Sequence, residues 1–138
     1  MRLKNIHGRL VWKNYGPYKV DWDGECRSKI QFEVKKFLQP YWASNYVCEE
    51  APVVGTRLKV DIINFTKKIA VEVQGNQHEK FNKFFHNNSK LNFLNSIKRD
   101  QKKFDWLELN EIKLIEIKEN EIKLLTHQWI LDKFEIFL

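Results

Sequence analysis

The strongest constraint on the fold lies between residues 56 and 74, where apolar and polar residues alternate in two consecutive runs. Such alternation is the period of a β-strand that turns one face toward a core. The short polar segment 66–68 separates the runs, and two strands joined by so short a turn form an antiparallel hairpin. One face of this hairpin is expected to carry Leu58, Val60 and Ile62 from the first run and Ile69, Val71 and Val73 from the second.

Helical spacing of apolar residues flanks the hairpin on both sides and predicts an α/β fold in which helices flank a central mixed β-sheet. Ser28 is a suitable N-cap for the first helix and Pro40 a suitable stop. The second helix is expected to turn an apolar stripe toward the core, and the last strand has apolar residues on both faces, which predicts an internal strand. The predicted elements are a helix over 27–38, one or more strands within 41–55, the hairpin, a helix or ordered loop over 76–90, a helix over 91–109, a strand over 112–117 and a helix over 121–138.

Composition narrows the class of protein. The length of 138 residues suits one domain, 1–138, and 43% apolar residues suffice for a core. No apolar run approaches the roughly 18 residues of a membrane span, and no apolar run of a secretory signal follows the basic N-terminus. Cys26 and Cys48 lie outside any CxxC pattern, which argues against a zinc site or a disulfide framework. We therefore expect a reduced, cytoplasmic protein without a membrane partner.

The charge balance and the N-terminal extension, residues 1–24, each allow two interpretations. Lys and Arg number 24 against 18 acids, a net charge of +6, which suits a nucleic-acid partner but equally a lysine-rich protein from an AT-rich genome. The extension mixes aromatic and basic residues that either contact nucleic acid or pack on the sheet. These residues are Trp12, Tyr15, Tyr18 and Trp22 among Arg2, Lys4, Arg9, Lys13 and Lys19.

Two acids occupy the middle of the predicted hairpin strands. Asp61 and Glu72 lie at similar distances from the turn, so the hairpin should bring them nearly level at one end of the sheet. Carboxylates that close repel each other and raise one pKa, unless a divalent cation such as Mg²⁺ lies between them. The alternative is that both acids face solvent beside Lys59 and Lys67.

Further polar residues follow Glu72 along the chain. Gln74 shares the face of Glu72 and can hold a water or a phosphate oxygen, but it carries no charge. Gly75 gives the backbone freedom to turn toward His78, whose side chain titrates near neutrality and suits a general base. The alternative for His78 is an ordinary surface histidine.

An acid also interrupts the apolar stripe predicted for the second helix. Asp100 follows Ile97 by three residues and precedes Phe104 by four, so it should lie on the stripe. It would then pair with His78 or a metal site, or lie at the edge of the stripe beside Arg99 or Lys103. The neighbouring cations either meet phosphates or form a solvated helix face. They are Lys98, Arg99, Lys102 and Lys103.

The ordered runs "KVDIINFTKKIAVEVQGNQHE" and "SIKRDQKKFDWLELNEIKLIEI" resemble the PD-(D/E)XK nuclease superfamily. The likeness covers about Cys26 to Ile117 and looks closest to the very-short-patch-repair endonucleases and related phage homing endonucleases. It implies a restriction-endonuclease-like core. It also implies that Asp61 is the central metal ligand and Glu72 the second, and that Gln74 stands at the position of the superfamily's variable Lys.

The resemblance assigns further roles. His78 looks like the catalytic histidine of this branch, and Asp100 resembles the acid that supports it. The superfamily places a Glu on its first helix, where this chain has Gln31, with Glu33 as the alternative two residues on. The residues expected to contact DNA are Arg27, Lys29, Lys98, Arg99, Lys102 and Lys103.

The function implied is that of a Mg²⁺-dependent DNA endonuclease, with Mn²⁺ as a substitute, which hydrolyses phosphodiester bonds in double-stranded DNA. A homing-type nuclease of a phage or mobile element, acting in the bacterial host cell, suits the likeness. Mismatch or branched-DNA cleavage is the rival within the same class. A long recognition site would require a homodimer. The alternative from another class is a non-catalytic nucleic-acid-binding module on a nuclease fold, which the replacements at Gln31 and Gln74 would suit.

Overall fold

The computed structural model describes residues 1–75 and 87–138, with the side chains of all these residues except 87–89. Within them, two 3₁₀ helices, Gly16–Tyr18 and Glu119–Leu124, accompany the main elements. The strands are β1 (Arg2–Lys4), β2 (Leu10–Trp12), β3 (Val47–Pro52), β4 (Lys59–Asn64), β5 (Ile69–Gln74) and β6 (Lys113–Lys118), and the helices are α1 (Lys29–Trp42), α2 (Asn87–Leu109) and α3 (His127–Phe134).

A four-stranded mixed sheet in the order β3-β4-β5-β6 forms the centre of the fold. The β3–β4 and β4–β5 pairs are antiparallel, whereas β6 runs parallel to β5 after the crossover through α2. The predicted hairpin is confirmed, since Ile62 lies opposite Val71 and Asn64 opposite Ile69. The predicted α/β fold with a mixed central sheet is likewise confirmed.

The prediction that the last strand is internal was wrong. Among the strands of residues 1–75 and 87–138, β6 lies at the edge of the four-stranded sheet and pairs only with β5. Ile115 and Ile117 are buried in one core cluster, while Leu114 packs against the other. Apolar residues on both faces of a strand therefore indicated that both faces are covered, which is independent of whether both edges carry a hydrogen-bonded neighbour.

The core divides into two clusters. One contains Val34 and Trp42 of α1 together with Ile130 of α3. The other contains Trp106 of α2 and Tyr15 of the N-terminal extension. Part of the extension thus serves as core.

Helix α1 begins two residues after the predicted start, directly behind the predicted N-cap, and ends four residues later than predicted. The Ser28 hydroxyl accepts a hydrogen bond from the Gln31 N–H at 3.1 Å, so the predicted N-cap is confirmed. Pro40 was expected to stop the helix but lies inside it, two residues before its end. Proline removes its own N–H from the helical ladder and crowds the carbonyl four residues back, but the helix continues for two residues and the buried Trp42 anchors its last turn in the core.

The C-terminal region departs from the predicted single helix over 121–138. A 3₁₀ helix over Glu119–Leu124 precedes α3, which spans only His127–Phe134. The Thr126 hydroxyl accepts a hydrogen bond from the Trp129 N–H at 3.0 Å and so begins a new helix. Glu135, with φ of 56°, ends it in a left-handed conformation.

The apolar stripe predicted for the second helix is only partly buried, which corrects its expected orientation. Trp106 and Leu107 lie in the core, whereas Leu94, Ile97 and Phe104 are exposed. The last turns of α2 therefore supply its contact with the sheet. Helical spacing identified the helix but overestimated how much of its length is covered.

Lys35 of α1 is a buried cation that ties the segment 21–24 to the sheet. Its ammonium group donates to the Asp21 and Gly24 carbonyls and lies 3.2 Å from Glu49 Oε2. The same carboxylate oxygen accepts a hydrogen bond from the Asp21 N–H at 3.0 Å. A buried ion pair contributes little net free energy to stability, but removal of one partner leaves the other charge buried without a partner.

We expect Lys35→Met to lower the free energy of unfolding by about 3 kcal/mol, because Glu49 and two carbonyls lose their partner. Lys36→Met is the matched control. Lys36 neighbours Lys35 on the helix, and its ion pair with Asp23 is largely exposed, so the expected loss is below about 1 kcal/mol. Urea denaturation of both variants measures the difference, and equal losses would contradict the role of Lys35.

Candidate functional site

The sheet is interrupted at Asp61. The register places Asp61 opposite Glu72 of β5 and Glu50 of β3. The β3–β4 ladder skips the Asp61–Glu50 pair, and the β4–β5 ladder ends one residue before Asp61, at the Ile62–Val71 pair. Val60 and Ile62, which were expected to share a face, pack into opposite core clusters. The alternation of β4 therefore shifts at Asp61, which corrects the predicted face of Val60.

Side chains replace the missing bonds between β4 and β5. The Val73 N–H donates to Asp61 Oδ2 at 2.8 Å, and the Asp61 N–H donates to Glu72 Oε2 at 3.4 Å. Each carboxylate thus takes part in holding the opposite strand. The two acids converge at one end of the sheet, as their distances from the turn indicated.

Glu50 adopts a left-handed conformation, with φ of 48°. Neighbouring residues of a regular strand point to opposite faces, but Glu49 and Glu50 both reach α1. Glu49 pairs with Lys35, while Glu50 Oε1 accepts a hydrogen bond from Gln31 Nε2 at 3.2 Å. The left-handed residue, which costs about 1–3 kcal/mol, is therefore held by contacts with successive turns of one helix.

Lys103 of α2 reaches the acidic pair. Its Nζ lies 3.0 Å from Glu72 Oε1, which makes an ion pair. The side chains of Lys103 and Glu72 are only 20% and 12% exposed. Burial, and then the nearby Asp61 carboxylate, raise the pKa of Glu72 well above its ordinary value of 4.5, although Lys103 acts in the opposite direction.

These residues line a cleft of about 640 Å³ between the sheet end, the N-terminus of α1 and α2. Its rim carries exposed cations and its floor half-buried acids. This distribution suits a polyanion whose phosphates meet the rim while one enters the floor. The charged and amide side chains of the cleft are Arg27, Gln31, Glu50, Arg57, Lys59, Asp61, Glu72, Gln74, Arg99, Asp100, Lys103 and Glu116.

Most sequence-predicted site residues meet at this cleft. Gln31 lines it, whereas Glu33, the alternative on the first helix, is exposed elsewhere. His78 lies outside the described residues. The cleft includes the predicted Asp61, Glu72, Gln74, Asp100, Gln31, Arg27, Arg99 and Lys103, and the exposed residues Lys29, Lys98 and Lys102 do not line it.

Four charged residues of the cleft, Glu50, Arg57, Lys59 and Glu116, have no counterpart among the predicted site residues. Two of them, Glu50 and Arg57, belong to the hairpin formed by β3, β4 and their turn. Glu50 is separated from Asp61 by the turn between β3 and β4, and counting back across that turn brings the two level, as it does for Asp61 and Glu72. Arg57 lies within the same turn. A second hairpin assigned to residues 47–64 would have identified both, but the irregular conformation of Glu50 hides the strand alternation there.

The acidic pair fits a Mg²⁺ ion. Within residues 1–75 and 87–138, no group of three or more Asp, Glu, His or Cys side chains is arranged to hold a metal. Mg²⁺, however, commonly uses one or two carboxylates and takes water and substrate phosphate for its other positions. The strand bonds use one oxygen each of Asp61 and Glu72. Their other oxygens, Asp61 Oδ1 and Glu72 Oε1, are hard ligands of the kind that Mg²⁺ takes, and Glu72 Oε1 is also the oxygen that lies 3.0 Å from Lys103 Nζ.

Comparisons with known proteins give one informative likeness. A viral protein, "Uncharacterized protein 033L" of Invertebrate iridescent virus 3, is 32% identical over 95 residues. The match covers 65% of this chain and 48% of the relative, so the chain spans about half the relative's length. No protein-family model matches the chain, and no solved structure matches it significantly. Among the described residues, no helix is long and apolar enough to cross a membrane.

The raised pKa of Glu72 predicts a pH-dependent stability. Between about pH 4.5 and about pH 9, Glu72 has released its proton in the unfolded chain but retains it in the folded protein. Without metal, the free energy of unfolding therefore falls as pH rises through this range. Glu72→Gln removes the effect. We expect this variant to be about 1–2 kcal/mol more stable than the unchanged protein near pH 8, and similar near pH 4.

Chemical denaturation across this pH range, with and without MgCl₂, measures the effect. Mg²⁺ should stabilise the unchanged protein, increasingly so at higher pH, but not the Glu72→Gln variant. Glu116→Gln is the matched control, because Glu116 is an exposed glutamate of the same cleft. If the free energy of unfolding depended on pH in the same way in both variants, Glu72 would not be the acid whose pKa is raised.

Proposed function

We propose that this protein is a Mg²⁺-dependent DNA endonuclease, with Mn²⁺ as a substitute, that hydrolyses phosphodiester bonds. The observation that carries the proposal is the opposed Asp61–Glu72 pair, held at the interrupted end of a hairpin with Lys103 beside it. An acid with a raised pKa, here Glu72, in a cleft rimmed by cations is typical of a functional site.

Asp61 and Glu72 would hold the metal ion. When bound, the ion supplies a Lewis acid that lowers the pKa of water and offsets charge on phosphate. Each side chain already accepts a hydrogen bond from the backbone of the opposite strand. Both would therefore need little rearrangement to present their oxygens to a metal ion. Preorganisation of this kind is the main protein contribution to phosphoryl chemistry.

Lys103 supplies the cation that Gln74 lacks. The resemblance puts Gln74 where the superfamily has a variable Lys, and an amide cannot carry positive charge. Lys103 reaches Glu72 from α2 and keeps a 20% exposed side chain, so it can also donate to a phosphate oxygen. This placement favours an active enzyme over the non-catalytic module.

His78 is proposed as the general base that removes a proton from the attacking water, with Asp100 as its supporting acid. Asp100 is half-buried in the cleft. The Gln31–Glu50 pair lies on the α1 side and would order water around the phosphate. The rim residues Arg27, Arg57, Lys59 and Arg99 would contact the flanking phosphates.

The proposed substrate is double-stranded DNA of a phage, virus or mobile element, cut in the manner of a homing nuclease. The relative encoded by an iridescent virus is compatible with this setting. Cleavage of mismatched or branched DNA is the rival within the class. Product mapping on a library of duplexes, beside mismatched and four-way-junction substrates, separates them.

Asp61→Ala is expected to abolish plasmid nicking in Mg²⁺ or Mn²⁺ while duplex binding persists, because the proposed metal ligand is lost and the cationic rim remains. Plasmid relaxation assays, with EDTA as the metal-free reference, measure this. Glu116→Ala in the same cleft is the control and should still cut. Normal cutting by Asp61→Ala would overturn the site. Metal-independent binding without cutting by the unchanged protein would favour the binding module.

His78→Ala is expected to slow cutting by about 10²–10⁴-fold, the usual cost of losing a general base. Single-turnover rates across pH measure it. The pH dependence assigned to the base should disappear in the variant, whereas His7→Ala, on the N-terminal turn, should leave the profile intact. An unchanged rate for His78→Ala would make this residue an ordinary surface histidine.

A further inference from the structure

The N-terminal ribbon, residues 2–12, has one anchored face and one exposed face. Its strands β1 and β2 pair Arg2 with Trp12, Leu3 with Val11, and Lys4 with Leu10. Leu3 and Val11 pack toward the core. The outer face carries Arg2, Lys4, Leu10 and Trp12, and the last two are 57% and 69% exposed.

The ribbon is firmly held. The Trp106 indole donates to the Lys4 carbonyl at 2.7 Å, and Asn110 both accepts from the Lys4 N–H and donates to its carbonyl. Asn5 Oδ1 accepts from the N–H groups of His7 and Arg9 and closes the turn. These bonds anchor the ribbon backbone, and the strand pairing sets the order of the side chains on its exposed face.

The ribbon lies near two segments that also carry residues of the cleft. Asn110, which holds the ribbon, is the first residue after α2, the helix that carries Lys103. Gly55, in the turn that carries the rim residue Arg57, lies beside Asn5. The turn of the ribbon is therefore close to the rim of the cleft.

The charge of this region selects one kind of partner. Residues 1–20 contain five Lys and Arg side chains and no Asp or Glu. An exposed Trp between cations favours a polyanion that also offers flat or apolar edges, as the sugar–phosphate backbone of a nucleic acid does. A two-stranded ribbon also has the width that the major groove of B-DNA admits.

We propose that the outer face of the N-terminal ribbon is a second contact surface for duplex DNA, separate from the cleft. Arg2 and Lys4 bind phosphates on the flank of the cleavage site, and Trp12 packs against the adjoining sugar edge. The choice of duplex DNA rests on the proposed function, whereas the surface itself rests on the exposure, anchoring and charge of the ribbon.

The test uses full-length protein with Asp61→Asn, which prevents cutting, and a fluorescent 30-base-pair duplex in anisotropy titrations at several salt concentrations. Arg2→Ala/Lys4→Ala should weaken binding about tenfold and reduce the slope of log affinity against log salt by about 2, because two phosphate contacts are lost. Trp12→Ala should weaken binding about threefold to tenfold with an unchanged slope, and Trp12→Phe should recover part of the loss.

Lys113→Ala/Lys123→Ala, at exposed lysines of β6 and the second 3₁₀ helix, is the matched charge control. It should alter affinity less than twofold. Equal losses in both double variants would show a general charge effect and overturn the ribbon surface, as would unchanged binding of the ribbon variants. Thermal unfolding of each variant verifies that it is folded, and Trp12→Phe serves if Trp12→Ala is not.

The remaining outcomes separate the proposals. Ribbon-dependent binding in a protein that never cuts DNA would retain the surface and overturn the proposed enzyme. Normal cutting with ribbon-independent binding would overturn the surface alone. Tighter, ribbon-dependent binding of single strands or RNA would overturn the duplex as partner. A change in sedimentation of the ribbon variants without a change in DNA binding would instead assign the face to a second copy of the chain.

Discussion

The exchange of hydrogen bonds between Asp61 and the end of β5 is the contact on which the site depends. Where a regular hairpin would continue its backbone ladder, the Val73 N–H donates to Asp61 and the Asp61 N–H donates to Glu72. The strands stay together, but their last bonds use carboxylates. One sheet end thereby becomes both a structural junction and a pair of hard oxygen ligands.

Helix α1 organises the opposite wall through two adjacent acids. Lys35 holds Glu49 and fixes the segment 21–24, while Gln31 holds Glu50, the neighbouring residue. A regular strand cannot direct two consecutive side chains to one helix, so the left-handed conformation of Glu50 resolves the geometric conflict. Residues at the floor and rim are thus positioned by the same contacts that stabilise the fold.

Acidic side chains lie at the floor of the cleft, and cationic side chains lie at its rim. Partial burial of Glu72 and the repulsion by Asp61 raise the pKa of Glu72, and Lys103 only partly offsets the effect. Exposed cations surround the acids and extend onto the N-terminal ribbon. A bound divalent ion would relieve the repulsion, which couples metal binding to stability in the manner expected of a functional site that is strained without its ligand.

Alternation and helical spacing in the sequence determined the hairpin, the Ser28 cap and the α/β order, because these depend on local periodicity. They also brought Asp61 and Glu72 level, because a short turn fixes register. Tertiary structure alone decided that β6 lies at the edge of the described sheet, that α1 continues past Pro40, and that Lys103 reaches Glu72. It also placed Glu50 in the cleft and left Trp12 exposed while Tyr15 entered the core. These outcomes depend on which surfaces meet, and contacts between residues distant in sequence leave no period in the chain.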